Sequence, residues 1–407
     1  MRACTQLYLE PNRGDEDYLK FLSQKIEGIS NAGFRILAIW PSKNTALLRN
    51  VVNECKRSGL EVYLWYPLLC DVPVDFDIEP FKVVGVAVEF DEGESAILQE
   101  QKKSGEEFDF LCPNKVIEQE EFYTTFESFL ETAHFDGVFF DRIRYPSPAN
   151  GLTQMLSCTC EKCREISKET VKHFEQGVLS LVERLRRSSD VKTTVAVLQC
   201  FYSEHKDHIE FRERSIVKLL SKYVNSAKSR GLKVGVDLFT PSLSFLVSQN
   251  YQMIVEIVDW IKPMIYCKTF GPAGIPMEIA SLIKIFQRLN PSTEDCLAFE
   301  VLKNVFDLKI PSKLDILLSK GVPITNFRKE LKTIQEEFPA LKSRVYPGFE
   351  AVFWPSIASI SKSMVKEYLK IIYEGKFPGF FASWDINKIP LENLRTIGDF
   401  IENTSKG

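Results

Sequence analysis

Phe135-Asp136-Gly137-Val138-Phe139-Phe140-Asp141-Arg142-Ile143-Arg144-Tyr145-Pro146 reads as a short buried strand that runs out into charge. Phe135 to Phe140 is apolar apart from Asp136, which suits one strand of a parallel sheet. Side chains alternate across a strand, so Asp141 shares a face with Gly137 and Phe139, while Val138 and Phe140 face the other way. A carboxylate, two arginines, a tyrosine and a proline then come within a few residues. The carboxyl ends of strands are where α/β proteins place their chemistry. The competing reading of the same residues is an aspartate–arginine pair that staples a loop.

Working outward, Thr5 to Pro11, Phe34 to Pro41 and Glu61 to Pro67 read as three earlier strands, separated by helical stretches at Asp17 to Asn31 and Thr45 to Ser58. Lys233 to Phe239, Ile261 to Tyr266, Val345 to Val352 and Gly379 to Ile386 bring the strands to eight. Strands alternating with helices argue for parallel βα units. No internal repeat or linker divides the chain. The expected architecture is therefore an α/β (β/α)8 TIM barrel, one domain over residues 1–407.

Three stretches break the rhythm. Residues 72–112, with the apolar run Phe81 to Phe90 and then Phe108-Asp109-Phe110-Leu111, predict a β-hairpin-type excursion after the third strand. Residues 151–208 and 277–342 predict helical insertions after the fourth and sixth strands. Within the first of these, the β-branched run Lys192 to Phe201 predicts an extra strand.

Asp136-Gly137, Asp141 and Arg144-Tyr145-Pro146 together resemble the DG-x3-D-x2-R-Y-P fourth strand of a family of glycoside-hydrolase-like (β/α)8 barrels. The pattern is also distantly similar to the DG-x-D-x-D-x-E-Y-P strand of chitinases. Trp260 to Tyr266 and Ser383-Trp384-Asp385 resemble the sixth and eighth strands of the same barrels. The resemblance implies a carbohydrate substrate and hydrolysis by paired carboxylates, with Asp141 in the place of the last chitinase aspartate. It departs from chitinases at the acid, where Ile143 and Arg144 stand and no glutamate does.

The chain has 407 residues, 44% of them hydrophobic, enough for a large core with insertions. Net charge is −4, so no global basic field draws nucleic acid. No apolar run approaches the roughly 20 residues needed to span a bilayer. The start Met1-Arg2-Ala3-Cys4 has no signal-peptide apolar region, so the expected location is cytoplasmic, with no membrane partner.

Four carboxylates fall at strand ends: Asp141, Asp237, Glu350 and Asp385. Asp237 shares its face with Gly235, Glu350 with Gly348, and Asp385 with Ser383, so small residues one layer down leave room for ligand and water. Their neighbours Val236, Phe349 and Trp384 then face the helices. Glycoside hydrolysis needs two carboxyl groups, one protonated and one ionised. The arginines near Asp141 suit the nucleophile or base, and the apolar neighbours of Glu350 suit the acid. Asp385 could equally cap a helix. Arg144 and Tyr145, with Trp40, Trp65, Tyr266 and Trp354 at or past strand ends, are the candidate substrate contacts, because flat aromatic faces pack on sugar C–H faces.

No cofactor is expected in the catalysis. Cys158-Thr159-Cys160-Glu161-Lys162-Cys163 is a C-x-C-x2-C cluster, which with Cys112 could complete a tetrahedral, structural zinc site. Two readings compete with hydrolysis. One is a barrel that binds glycans without cleaving them. The other is a Schiff-base lyase, for which Lys268 just past the sixth strand is the candidate amine.

Overall fold

The computed structural model describes residues 1–10, 13–88, 108–291 and 295–405. Its first half repeats one local device. Asp15 accepts a hydrogen bond from the Tyr18 N–H (2.9 Å) to start the helix Glu16–Asn31, and Asn44 accepts from the Leu47 N–H (3.0 Å) to start Thr45–Arg57. Gly59 (φ 76°) then lets the chain reverse into the next strand. Each helix buries an apolar stripe against the sheet, Leu47, Leu48, Val51 and Val52 in the second case.

Eight parallel strands close into a barrel. They are β1 (Arg2–Leu7), β2 (Phe34–Ile39), β3 (Glu61–Pro67), β4 (Gly137–Asp141), β5 (Lys233–Phe239), β6 (Trp260–Met264), β7 (Gly348–Glu350) and β8 (Gly379–Ser383). Closure runs through β1 and β8, with Arg2 opposite Gly379 and Thr5 opposite Ala382. The predicted (β/α)8 fold is therefore the observed one.

Alternation along β4 is as expected. Val138 and Phe140 pack outward with the helices, while Phe139 belongs to a separate inner cluster with Tyr63, Trp65, Trp260 and Phe381. The rings of Phe139, Trp260 and Phe381 stack with centroids 5.2 to 5.4 Å apart and plug the barrel. This corrects the reading of the glycines. A Cβ on Gly235 would lie 2.1 Å from the Trp260 ring, and one on Gly137 2.3 Å from Tyr63. The space beneath Asp237 and Asp141 is filled by aromatic side chains, and that beneath Glu350 by the Lys262 side chain, 2.7 Å from a Cβ on Gly348, rather than left for ligand.

The strand predicted at Lys192 to Phe201 is a helix, Val191–Glu204. Asp190 caps it through the Thr193 N–H (2.9 Å), and Thr194, Val197 and Phe201 recur on one buried face. Packing among neighbouring helices outweighs the β propensity of its valines and threonines. The rest of that insertion is helical too, in Lys168–Arg187 and Lys206–Ser229. The insertion after β6 is helical, in Ile275–Leu289, Asp295–Phe306, Leu314–Lys320 and Thr325–Glu337.

Of the hairpin-type excursion, the described residues include a 3-10 turn, Glu79–Phe81, and an antiparallel bridge between Lys82 and Leu111; residues 89–107 lie outside the described residues. Strands β7 and β8 are shorter than predicted. Past β7 the chain forms a small antiparallel ribbon, Phe353–Trp354 with Ala358–Ser359, and past β8 a 3-10 turn, Ile386–Lys388. Among the described residues, no helix is long and apolar enough to cross a membrane.

Candidate active site

At the carboxyl ends of the strands lies an open cleft whose lining includes Asp141, Asp237 and Lys262. Asp141 ends β4, and its carboxylate takes one hydrogen bond on each oxygen. The Trp65 Nε1–H donates to Oδ2 at 2.9 Å, and the Arg142 backbone N–H donates to Oδ1 at 2.5 Å. The arginines after it do not pair with it. Arg142, in the left-handed region (φ 55°), turns its guanidinium to Asp71. Arg144 is held between the rings of Phe110 and Phe239, 4.3 and 4.7 Å from their centroids, and donates to the Tyr145 carbonyl at 3.1 Å. Burial lowers its pKa to about 10.

Asp237 is 2% exposed. Lys262 Nζ donates to its Oδ2 at 2.7 Å and to Gln6 Oε1 at 2.9 Å, while Asp237 Oδ1 has no hydrogen-bond partner among the described residues. Burial raises the Asp237 pKa, Lys262 pulls it down, and the charge of Asp141 pushes it up again; the outcome is about 8. Lys262 itself is fully buried and sits over the rings of Phe139, Phe381 and Tyr266 at 5.4 to 5.7 Å. A cation can sit there because ring faces and Asp237 replace its water.

Of the predicted substrate contacts, Arg144, Trp65, Tyr266 and Trp354 line the cleft. Trp40 and Tyr145 do not. Trp40 packs edge-on behind Trp65, with centroids 4.7 Å apart. Tyr145 is fully buried beneath the guanidinium of Arg212, 4.4 Å from its ring.

The structure also parts the four carboxylates. Glu350 is fully buried and outside the cleft lining; its Oε1 accepts from the Lys268 backbone N–H (2.6 Å) and from Thr269 Oγ1 (3.4 Å). Burial raises its pKa and the Lys268 N–H pulls the other way. Asp385 is a cap, its Oδ1 accepting from the N–H groups of Asn387 (3.1 Å) and Tyr8 (3.3 Å). Burial raises its pKa to about 6, against those two hydrogen bonds. The ring expected to face the helices, Trp384, lines the cleft beside Trp354 and Tyr266. Because β8 ends at Ser383, strand parity no longer governs Trp384 and Asp385.

Lys268 is not inside the barrel: its ammonium donates to the Lys320 carbonyl at an exposed position. The interior amine is Lys262, which the sequence pattern alone did not single out. Its signal is a lone charge within the apolar strand Trp260-Ile261-Lys262-Pro263-Met264, where only a paired lysine is tolerated. The aspartate of the Asp136-Gly137 pair serves the opposite end of β4, accepting the Val62 N–H at 2.7 Å and pairing with Lys56. Outside the cleft, Cys112, Cys158, Cys160 and Cys163 bring four buried Sγ atoms within 4.8 Å of one another, a set that could hold a metal ion.

No protein-family model matches the sequence, and no curated protein does either. Solved structures do match. The glycoside hydrolase domain of PgaB (BpsB) from Bordetella bronchiseptica is 12% identical, with a TM-score of 0.50 over 100% of this chain and 96% of that one. The catalytic domain of β-amylase from Paenibacillus polymyxa is 12% identical, with a TM-score of 0.47 over 100% and 99%. The spore cortex-lytic enzyme SleL of Bacillus cereus is 10% identical, with a TM-score of 0.47 over 97% and 73%. What this chain shares with the first of them is the fold, a (β/α)8 barrel of the kind on which glycoside hydrolases are built.

Proposed function

We propose that this chain is a glycoside hydrolase acting on an oligo- or polysaccharide, with Asp141 as nucleophile or general base and Asp237 as general acid. The observation that carries the reading is the pairing of two unlike carboxyl groups in one aromatic-lined cleft. Asp237, with its pKa raised to about 8, keeps its proton at neutral pH and can deliver it to the departing glycosidic oxygen. Lys262, already bonded to Oδ2, then steadies the carboxylate left behind. Asp141 is oriented by Trp65 and by the Arg142 N–H. Trp354, Trp384 and Tyr266 offer ring faces to sugar C–H surfaces. Glu350, the acid suggested by its sequence neighbours, is replaced in that role by Asp237. The reaction as proposed runs on side chains alone, and a metal at the four thiols would have a structural part.

The test is to incubate the purified chain with a panel of oligosaccharides, following new reducing ends, and to soak crystals with the same mixture. Cleavage that Asp141→Asn abolishes supports the proposal. Sugars bound in the cleft and never cut would make it a binding barrel, and no binding at all would end the carbohydrate reading. The buried Lys262 favours a second reading, a Schiff-base lyase using that amine in place of Lys268. A borohydride-trapped carbonyl adduct on Lys262 would establish it.

A further inference from the structure

We propose that Cys112, Cys158, Cys160 and Cys163 hold one zinc ion, that the buried guanidinium of Arg212 balances its charge, and that this centre fixes one wall of the cleft. The sulfur positions suit a single ion better than a disulfide. Cys112 Sγ lies 3.5 Å from Cys163 Sγ and 3.7 Å from Cys160 Sγ. Zn–S bonds of about 2.3 Å in a tetrahedron put sulfurs about 3.8 Å apart, whereas a disulfide needs about 2.05 Å. One cysteine equally close to two others is the pattern of a shared ligand. Four thiolates with geometry of this kind suit zinc, with iron as the alternative that metal analysis distinguishes, and a saturated set leaves no position for water.

Arg212 is the independent observation. It is 5% exposed, and its Nε and Nη2 have no hydrogen-bond partner among the described residues. Glu213, next to it in sequence, is engaged with Asn250 at 3.0 Å. A guanidinium buried in this way calls for a compensating anion. The groups that act on it electrostatically are Tyr145, Tyr202, Cys158 and Glu213, and the Tyr145 ring packs beneath the guanidinium; of these, Cys158 belongs to the thiol set. Zinc bound by four thiolates carries a net charge of −2, which a buried cation offsets. Further N–H groups already point at sulfur: the Val84 N–H at Cys158 Sγ (3.4 Å) and Asn114 Nδ2 at Cys163 Sγ (3.4 Å).

The ligands come from both sides of the wall. Cys112 comes after Phe108, which lines the cleft, and Phe110, which stacks on Arg144. Cys158 comes after Ser157, bridged to Gly85, and the Thr159 N–H donates to the Val84 carbonyl at 2.6 Å. The ion thus ties residues 82–85, 110–114 and 157–163 into one unit.

Metal analysis of the full chain, purified without chelator under reducing conditions, should find one zinc per molecule. Cobalt added to the stripped chain should give the ligand-field and charge-transfer bands of a tetrahedral thiolate site. Arg212→Met should weaken metal affinity roughly 10–100-fold, and Arg212→Lys should recover much of it. Stripping the metal should expose residues 82–85 to protease. A chain that binds neither zinc nor cobalt with all ten thiols free, a disulfide among these four cysteines, or bound iron would overturn the zinc assignment. An Arg212→Met chain with unchanged affinity would overturn the role of Arg212. These readouts use no sugar, so they stand or fall apart from the hydrolase reading.

Discussion

The two sides of the barrel mouth carry the same kind of residue and use it in opposite ways. On the β4–β6 side, Asp141 and Asp237 line the cleft. On the β7–β8 side, Glu350 and Asp385 lie outside it and accept backbone N–H groups from neighbouring loops. The difference lies in the loops at the strand ends. After β4, Arg142 takes a left-handed turn that carries its side chain to Asp71 and leaves Asp141 facing the cleft. After β6, the chain at Lys268 closes over Glu350, and after β8 a 3-10 turn needs Asp385 as its cap. A carboxylate at a strand end is available for chemistry only if the loops leave it so.

Four variants would break or sharpen this contrast. Asp141→Asn keeps the shape and removes the charge, so turnover on a cleaved glycoside should fall by roughly 10²–10⁴-fold with little change in Tm. A variant that unfolds early yet turns over normally when folded would make Asp141 a staple after all.

Asp237→Asn leaves Lys262 buried beside a neutral amide. Because Asp237, with a pKa of about 8, is already neutral at pH 7, stability there should change little while activity falls by roughly 10²–10⁴-fold, read in parallel denaturant melts and rate assays. In the unaltered chain, activity should decline as pH rises through about 8, where Asp237 loses its proton; a flat profile across that range would remove it as the acid.

Glu350→Ala strands the Lys268 N–H and should cost about 1–3 kcal/mol, while turnover per folded molecule stays unchanged. A collapse of turnover at full stability would move the acid back to β7.

Asp385→Asn should have the smallest effect on turnover, because asparagine caps as well as aspartate and the side chain lies outside the cleft. Its signature is in the pH dependence. The Asp385 pKa in the fold is about 6, above its ordinary 3.8, so the fold favours the protonated form. That contribution is complete below the ordinary value and is lost as pH rises through about 6. Tm measured from pH 4 to 7 should therefore decline less in Asp385→Asn than in the unaltered chain.

Particular residues show where sequence reasoning works. Strand and helix periodicity locates the eight strands, and parity along β4 correctly turns Phe139 inward and Val138 outward. The C-x-C-x2-C spacing plus Cys112 names the four thiols that the fold brings together. Parity fails just past the strand ends, where Trp384 lines the cleft and Asp385 leaves it. It also misjudges Gly235, whose missing Cβ admits the Trp260 ring. Propensity fails at Val191–Glu204, where helix packing decides.

By itself, then, the sequence determined the barrel, the strand order implied by its βα alternation, and Asp141 at the end of β4, because these arise from periodicities that neighbouring residues carry. Only the tertiary structure decided which partner Asp141 shares the cleft with, and it chose Asp237 with Lys262 over Glu350. The packing of Arg212 over the Tyr145 ring is of the same kind. Such outcomes depend on which hydrogen-bond donors and charges the intervening loops bring across long separations in the chain, and no local pattern of residues records that.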